Sequence, residues 1–148
     1  MLIVQAVMVS FVAAAGFGVL FNVPKKTIAA GGIAGMAGWV LYQGLAVGYE
    51  MNQILATAIA SFVVAMISQL FARVLKMPVI VFSVSGIIPL VPGGLAYNTM
   101  RHLVGNDFFA ATELASQVFL ISGAIAFGLV LASVIAQVLL RRGPGARI

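Results

Sequence analysis

The stretch Pro78–Val104, PVIVFSVSGIIPLVPGGLAYNTMRHLV, decides how the rest of the chain is read. It opens with the apolar run Val79–Ile88, as a membrane-spanning helix does. It then breaks at Pro89-Leu90-Val91-Pro92-Gly93-Gly94 and resumes as Leu95–Val104. At ~1.5 Å rise per residue the first run covers about half of a ~30 Å hydrocarbon core, which sets the break near mid-membrane. The prolines Pro89 and Pro92 remove backbone donors and drive the residues before them out of helix. The glycines Gly93 and Gly94 allow a positive φ with which the chain turns back into helix. Irregular backbone survives at that depth only where it is buried in protein or lines a wet cavity. A repacked proline kink needs less than this, so the stretch reads as a discontinuous helix with its break as the candidate substrate site.

The rest of the composition is that of an integral membrane protein. The 148 residues are 63% hydrophobic and 7% charged, with a mean hydropathy of +1.18. That is enough for four or five spans in a single transmembrane domain, 1–148, and too little for two domains. The net charge of +5 does not point to nucleic acid. Its basic residues sit at the ends of apolar runs, as Lys25-Lys26, Arg73/Lys76 and Arg141-Arg142, which is the habit of cytoplasmic membrane loops. There is no cysteine, one histidine and three dispersed acids. No disulfide framework, metal set, cofactor site or nucleophile constellation can be assembled from them, so an enzyme is the least favoured class.

Working outward, the first span is 2–21, with no basic segment before it to make it a signal peptide. It ends in Phe21-Asn22-Val23-Pro24-Lys25-Lys26, a helix junction in which Pro24 suits a first helical position and Asn22 or Val23 a cap. A pore-lining role is the alternative for Asn22. The second span, 27–47, carries Gly31/Gly35 and Gly44/Gly48 at helical spacing, small-residue faces suited to close helix packing. Trp39 is expected inside and Tyr49, beside Glu50, at an interface. The third span, 53–75, bears Gln53, Thr57, Ser61, Ser68 and Gln69 mostly on one stripe. In lipid such a stripe faces other helices, as interhelical glue, or a cavity, as part of a substrate path.

Beyond the broken fourth span, 78–104 with its break at 89–94, comes the most polar cluster of the chain: Arg101, His102, Asn106 and Asp107. The last run, Phe108–Leu140, spans the membrane over about 110–140, and a basic, flexible tail, 141–148, follows. Asp107 suits the start of that helix. Glu113 lies either below the interface, where a carboxylate is a functional candidate paired with Arg101 or His102, or on first turns that stand in water. Arg101, His102 and Glu113 are therefore the candidates for coupling or pairing.

Five spans place Lys25/Lys26, Arg73/Lys76 and Arg141/Arg142 inside and Glu50 and Asp107 outside, with the N-terminus outside and the C-terminus cytoplasmic. A re-entrant Pro78–Val104 leaves four crossings and puts both termini on one side.

Three passages resemble the threonine/serine exporter family: Phe17–Lys25, the glycine-rich run through Gly38-Trp39, and above all Ile88–Met100. The match is to its small stand-alone subunit, similar to the small component of a two-subunit succinate exporter. The resemblance implies an exporter of small carboxylate metabolites in the bacterial inner membrane. It also implies a larger membrane subunit as partner, in a homo- or hetero-oligomer within the bilayer. It does not choose between amino acids such as threonine and serine and dicarboxylates such as succinate.

Residues and resemblance meet on one mechanism. A second half-helix beginning near Gly94-Leu95 has free N–H groups and a positive dipole end, which would hold a substrate carboxylate. Pro89, Pro92, Gly93 and Gly94 shape that site, and Tyr97 and Asn98 offer hydroxyl and amide contacts from its first turn. The alternative class is a non-transporting scaffold or assembly subunit, for which the break is only structural. A channel has no ring motif or acidic filter to support it.

Overall fold

The computed structural model describes residues 2–140; the expected basic tail, 141–148, with Arg141 and Arg142, lies outside the described residues. The described chain is all helix. In order it forms α1 (Leu2–Leu20), α2 (Lys25–Gln43), α3 (Gln53–Val74), α4 (Val79–Ile87), α5 (Gly93–Val104) and α6 (Phe108–Leu140). A π-helical turn, Gly44–Gly48, extends α2, and a 3-10 turn, Ile88–Leu90, extends α4. Three helical stretches are long and apolar enough to cross a membrane: Lys25–Gly48, Gln53–Val74 and Phe108–Leu139. The bent pair Val79–Leu90 and Gly93–Val104 adds a fourth if it is one span, while α1 contributes a shorter apolar helix, Val4–Leu20. This is an all-α, multi-pass integral membrane protein.

The helices stop by a recurring device. Asn22, Lys76 and Asn106 take φ of 53°, 52° and 60°, the left-handed conformation that closes a helix. After α1, the Asn22 N–H bonds Val19 O and the Val23 N–H bonds Gly18 O, the paired bonds of a Schellman motif. The same pair recurs after α3 (Lys76 to Arg73, Met77 to Ala72) and after α5 (Asn106 to Leu103, Asp107 to His102). This corrects the expected cap. Asn22 terminates α1 instead of starting α2, and Pro24 occupies the N-cap with Lys25 as the first helical residue. Val23, whose side chain carries no acceptor, cannot cap either. Where a side-chain cap does form, Asn52 accepts the Ile54 N–H at 2.8 Å before α3.

Small residues set the packing. A Cβ placed on Gly86 of α4 would stand 2.9 Å from Val64 Cγ1 and 3.1 Å from Ala34 Cβ. One on Gly128 of α6 would strike Ser61 of α3 and lie 2.7 Å from Ala58 O. Backbones thus approach closely where lipid offers no hydrophobic drive. Thr57, Ser61 and Ser68 of the α3 stripe are buried, but their hydroxyls bond carbonyls of their own helix at 2.7, 2.9 and 2.8 Å. They act between helices as small, internally satisfied surfaces rather than as hydrogen-bonding glue.

The break forms by a route other than the expected one. Val91 is extended (φ −67°, ψ 130°), Pro92 follows at φ −77°, ψ 53°, and α5 begins at Gly93 rather than near Gly94-Leu95. No described glycine has a positive φ. The residue before Pro92 is driven out of helix by the ring, and that alone accounts for the turn. The two halves are bent by 56°. The break starts mid-bundle, where Leu90 joins Ala60 and Val64 in a buried cluster near the centre of α3.

Candidate functional site

The glycines of the break matter for what they leave empty. A Cβ built on Gly93 or Gly94 meets nothing within 4 Å. Both residues line a cavity of about 320 Å³ with Pro89, Pro92 and Leu95, so this wall of the cavity is largely backbone. The Gly93 N–H turns back to Val91 O at 2.8 Å, and the first bond of α5 runs from Ala96 N to Pro92 O at 3.0 Å. Between them, the N–H groups of Gly94 and Leu95 have no acceptor among the described residues. They are the orphan donors of a helix start, at the end where the peptide dipoles sum to roughly half a positive charge.

The opposite wall comes from three other elements. Near the end of α2, Trp39 and Tyr42 stack with ring centroids 5.4 Å apart and a 31° tilt. The start of α3 supplies Gln53 and Thr57, and α6 supplies Ile121. Trp39 is half-buried rather than enclosed, and it lines both this cavity and an apolar groove beside Val40. None of the lining residues is charged. The arrangement offers a carboxylate two free amides and a dipole, with aromatic faces and the Gln53 carboxamide for its other atoms.

A second cavity, of about 350 Å³, lies at the α2–α3 loop, lined by Met51, Asn52, Gln53, Ile54, Gln117 and Ile121. Gln53 and Ile121 belong to both. Glu113 is exposed, one turn before Gln117 and about 6 Å along α6 from it.

Tyr97 and Asn98 line neither cavity, and Tyr97 is 70% exposed. Arg101 is exposed, and the pairing the structure shows is between His102 and Asp107, Nδ1 to Oδ2 at 3.1 Å. Asp107 also accepts the Ala110 N–H at 3.3 Å, the N-cap of α6. Asn22 and Pro24 lie at the far end of α2, about 21 Å along the helix from Trp39. Gly31 and Gly35 are buried against α4 and α1, whereas Gly44 and Gly48 are exposed and line an apolar groove of about 520 Å³ with Ala6, Val7 and Val40. No group of three His, Cys, Asp or Glu that could hold a metal occurs among the described residues.

Sequence reasoning did not place Trp39, Tyr42 or Ile121 at the site, and no local pattern marks them. Gln53 and Thr57 belong to the polar stripe of α3 that the sequence shows, and both line this cavity.

A family model described as Threonine/Serine exporter, ThrE matches residues 6–135. No solved structure matches the chain.

Proposed function

The chain belongs to the threonine/serine exporter family, and we propose that it is the small subunit of a two-component exporter of carboxylate metabolites. The observation that carries this reading is the cavity at the break, which Gly94 and Leu95, with their free amides, line together with uncharged polar and aromatic side chains. The substrate carboxylate sits on those amides, and the positive end of α5 balances its charge without an arginine or lysine. The substrate is a small amino acid of the threonine or serine kind or a dicarboxylate such as succinate. Release stays feasible because a half charge holds an anion less firmly than a full ion pair does.

The partner is a larger membrane subunit of the same family. Apolar side chains left outside the bundle along α6, among them Phe119, Phe127 and Val134, supply a surface for it or for lipid. The complex sits in the bacterial inner membrane. This chain crosses five times, with α1 and the bent α4–α5 pair each counted as a span, the N-terminus outside and the C-terminus cytoplasmic. A five-span homologous partner in tandem would be inverted relative to it, the repeat arrangement on which alternating access is often built.

The scaffold alternative needs no cavity at the break and no unpaired amides, so those two features favour the transporter. The test is counterflow of labelled threonine and of labelled succinate in proteoliposomes holding the larger subunit with and without this chain. Uptake that requires both chains supports the proposal. Undiminished uptake by the larger subunit alone makes this chain an accessory.

A further inference from the structure

We propose that the second cavity, between the α2–α3 loop and α6, is a separate transit subsite for the substrate, joined to the break cavity through Gln53. The inference rests on the reading that the break cavity takes a carboxylate. The geometry behind it is independent of the helix start. The two cavities share Gln53 and Ile121, so the second lies directly beside the first. At about 350 Å³ the second is of a size that holds a small metabolite.

Its chemistry is that of three carboxamides. Asn52 uses its Oδ1 on the Ile54 N–H at 2.8 Å, which leaves its amide N–H groups free. The side chains of Gln53 and Gln117 make no hydrogen bond within the described chain and keep both donors and acceptor. A carboxylate can take N–H donors from all three, while a Gln oxygen accepts from a substrate ammonium or hydroxyl. No Lys, Arg, Asp or Glu lines the cavity, so it favours neither sign strongly and binds weakly. A waiting site that must release its ligand to either neighbour needs that weakness. The ligand class is therefore a small carboxylate that also carries an amino or hydroxyl group. Gln53 is the specificity-determining side chain, because it touches the ligand in both positions.

The chain has no cysteine, so a single thiol reports on one place. The experiment places Gln117→Cys in the assembled complex in proteoliposomes and measures its labelling rate with membrane-permeant N-ethylmaleimide, with and without threonine. With threonine at twice its apparent Kd, labelling should slow about threefold. The slowing should persist at higher threonine in a Gly94→Leu background, where the break site is filled. Slowing that vanishes in that background would mean one continuous site and overturn the separate subsite. An unchanged rate in a complex that still transports would overturn it as well. Should Gln117→Cys fail to transport, Asn52→Cys on the facing wall carries the same readout. Normal transport by Gly94→Leu would count against the break reading alone, since protection at position 117 is scored separately.

Discussion

Gly35 of α2 packs directly beneath Pro89 of the break: a Cβ built on Gly35 would stand 3.4 Å from Pro89 Cγ, 3.2 Å from Gly86 O and 2.6 Å from Ala14 Cβ. The small-residue face and the broken helix are therefore one device. Sequence patterning treats them as separable, packing on one side and site on the other. The structure joins them, because Gly35 lets α1 and α4 approach α2 at the level where α4 gives out.

Gly35→Ala should accordingly cost more than a surface change. The added methyl meets Ala14 and a backbone oxygen, neither of which can swing aside, and overpacking of this kind costs about 1–3 kcal/mol. Thermal unfolding of the purified complex in detergent should shift down, and transport should fall because Pro89 moves. An unchanged melting temperature would show that α1 and α2 separate without penalty.

Tyr97→Phe should leave transport and selectivity within about twofold of wild type, since the side chain is 70% exposed and lines neither cavity. Gln53→Leu should weaken transport of threonine, because it removes the polar side chain common to both cavities. Competition between labelled threonine and unlabelled analogues in proteoliposomes separates the two variants. The reverse order of effects would place the substrate on the exposed face of α5.

Asp107→Ala should loosen the α5–α6 turn by about 0.5–2 kcal/mol, the usual cost of a lost N-cap. Asp107→Asn should cost less, because the cap to Ala110 survives and only the exposed His102 pair is weakened. Amide hydrogen exchange at Ala110 and Ala111 reads this directly. Equal effects of the two variants would mean that the carboxylate's contact with His102, not the cap, holds the turn.

The broken helix was legible because Pro-x-x-Pro-Gly-Gly interrupts an apolar run, and chain chemistry alone forces that interruption. How the turn is made was not. Glycine permits a positive φ but does not require one, and Val91 ahead of Pro92 supplies the bend instead. Asn22 was misplaced for a related reason: an asparagine at a junction serves equally as the end of one helix or the start of the next. Only the paired bonds to Gly18 and Val19 decide between them. Trp39 and Tyr42 reach the site through the crossing of α2 over α4, a tertiary relationship that leaves no periodic trace. Gly44 and Gly48 match the packing pattern as well as Gly31 and Gly35 do, yet they fall on a π-helical turn that faces an open groove.

Single cysteines near Met1 and after Ile148 should label from opposite faces of the membrane if α1 and the bent pair are both spans. Impermeant thiol reagent on intact cells, compared with inverted vesicles, distinguishes the cases. Same-side labelling would make Pro78–Val104 re-entrant, with four crossings.

The most direct measurement is efflux of labelled threonine from cells carrying both subunits, with wild-type chain or Gly94→Leu, alongside a pull-down of the larger subunit. A leucine at this position has open space around its Cβ, so the chain should fold and assemble. It would occupy the cavity where the carboxylate meets the Gly94 and Leu95 amides and cut affinity roughly ten- to hundredfold, about 1.4–2.7 kcal/mol. Normal assembly with efflux reduced to that extent is the predicted result. Normal assembly with wild-type efflux would contradict it, leaving the break a structural feature of a scaffold subunit.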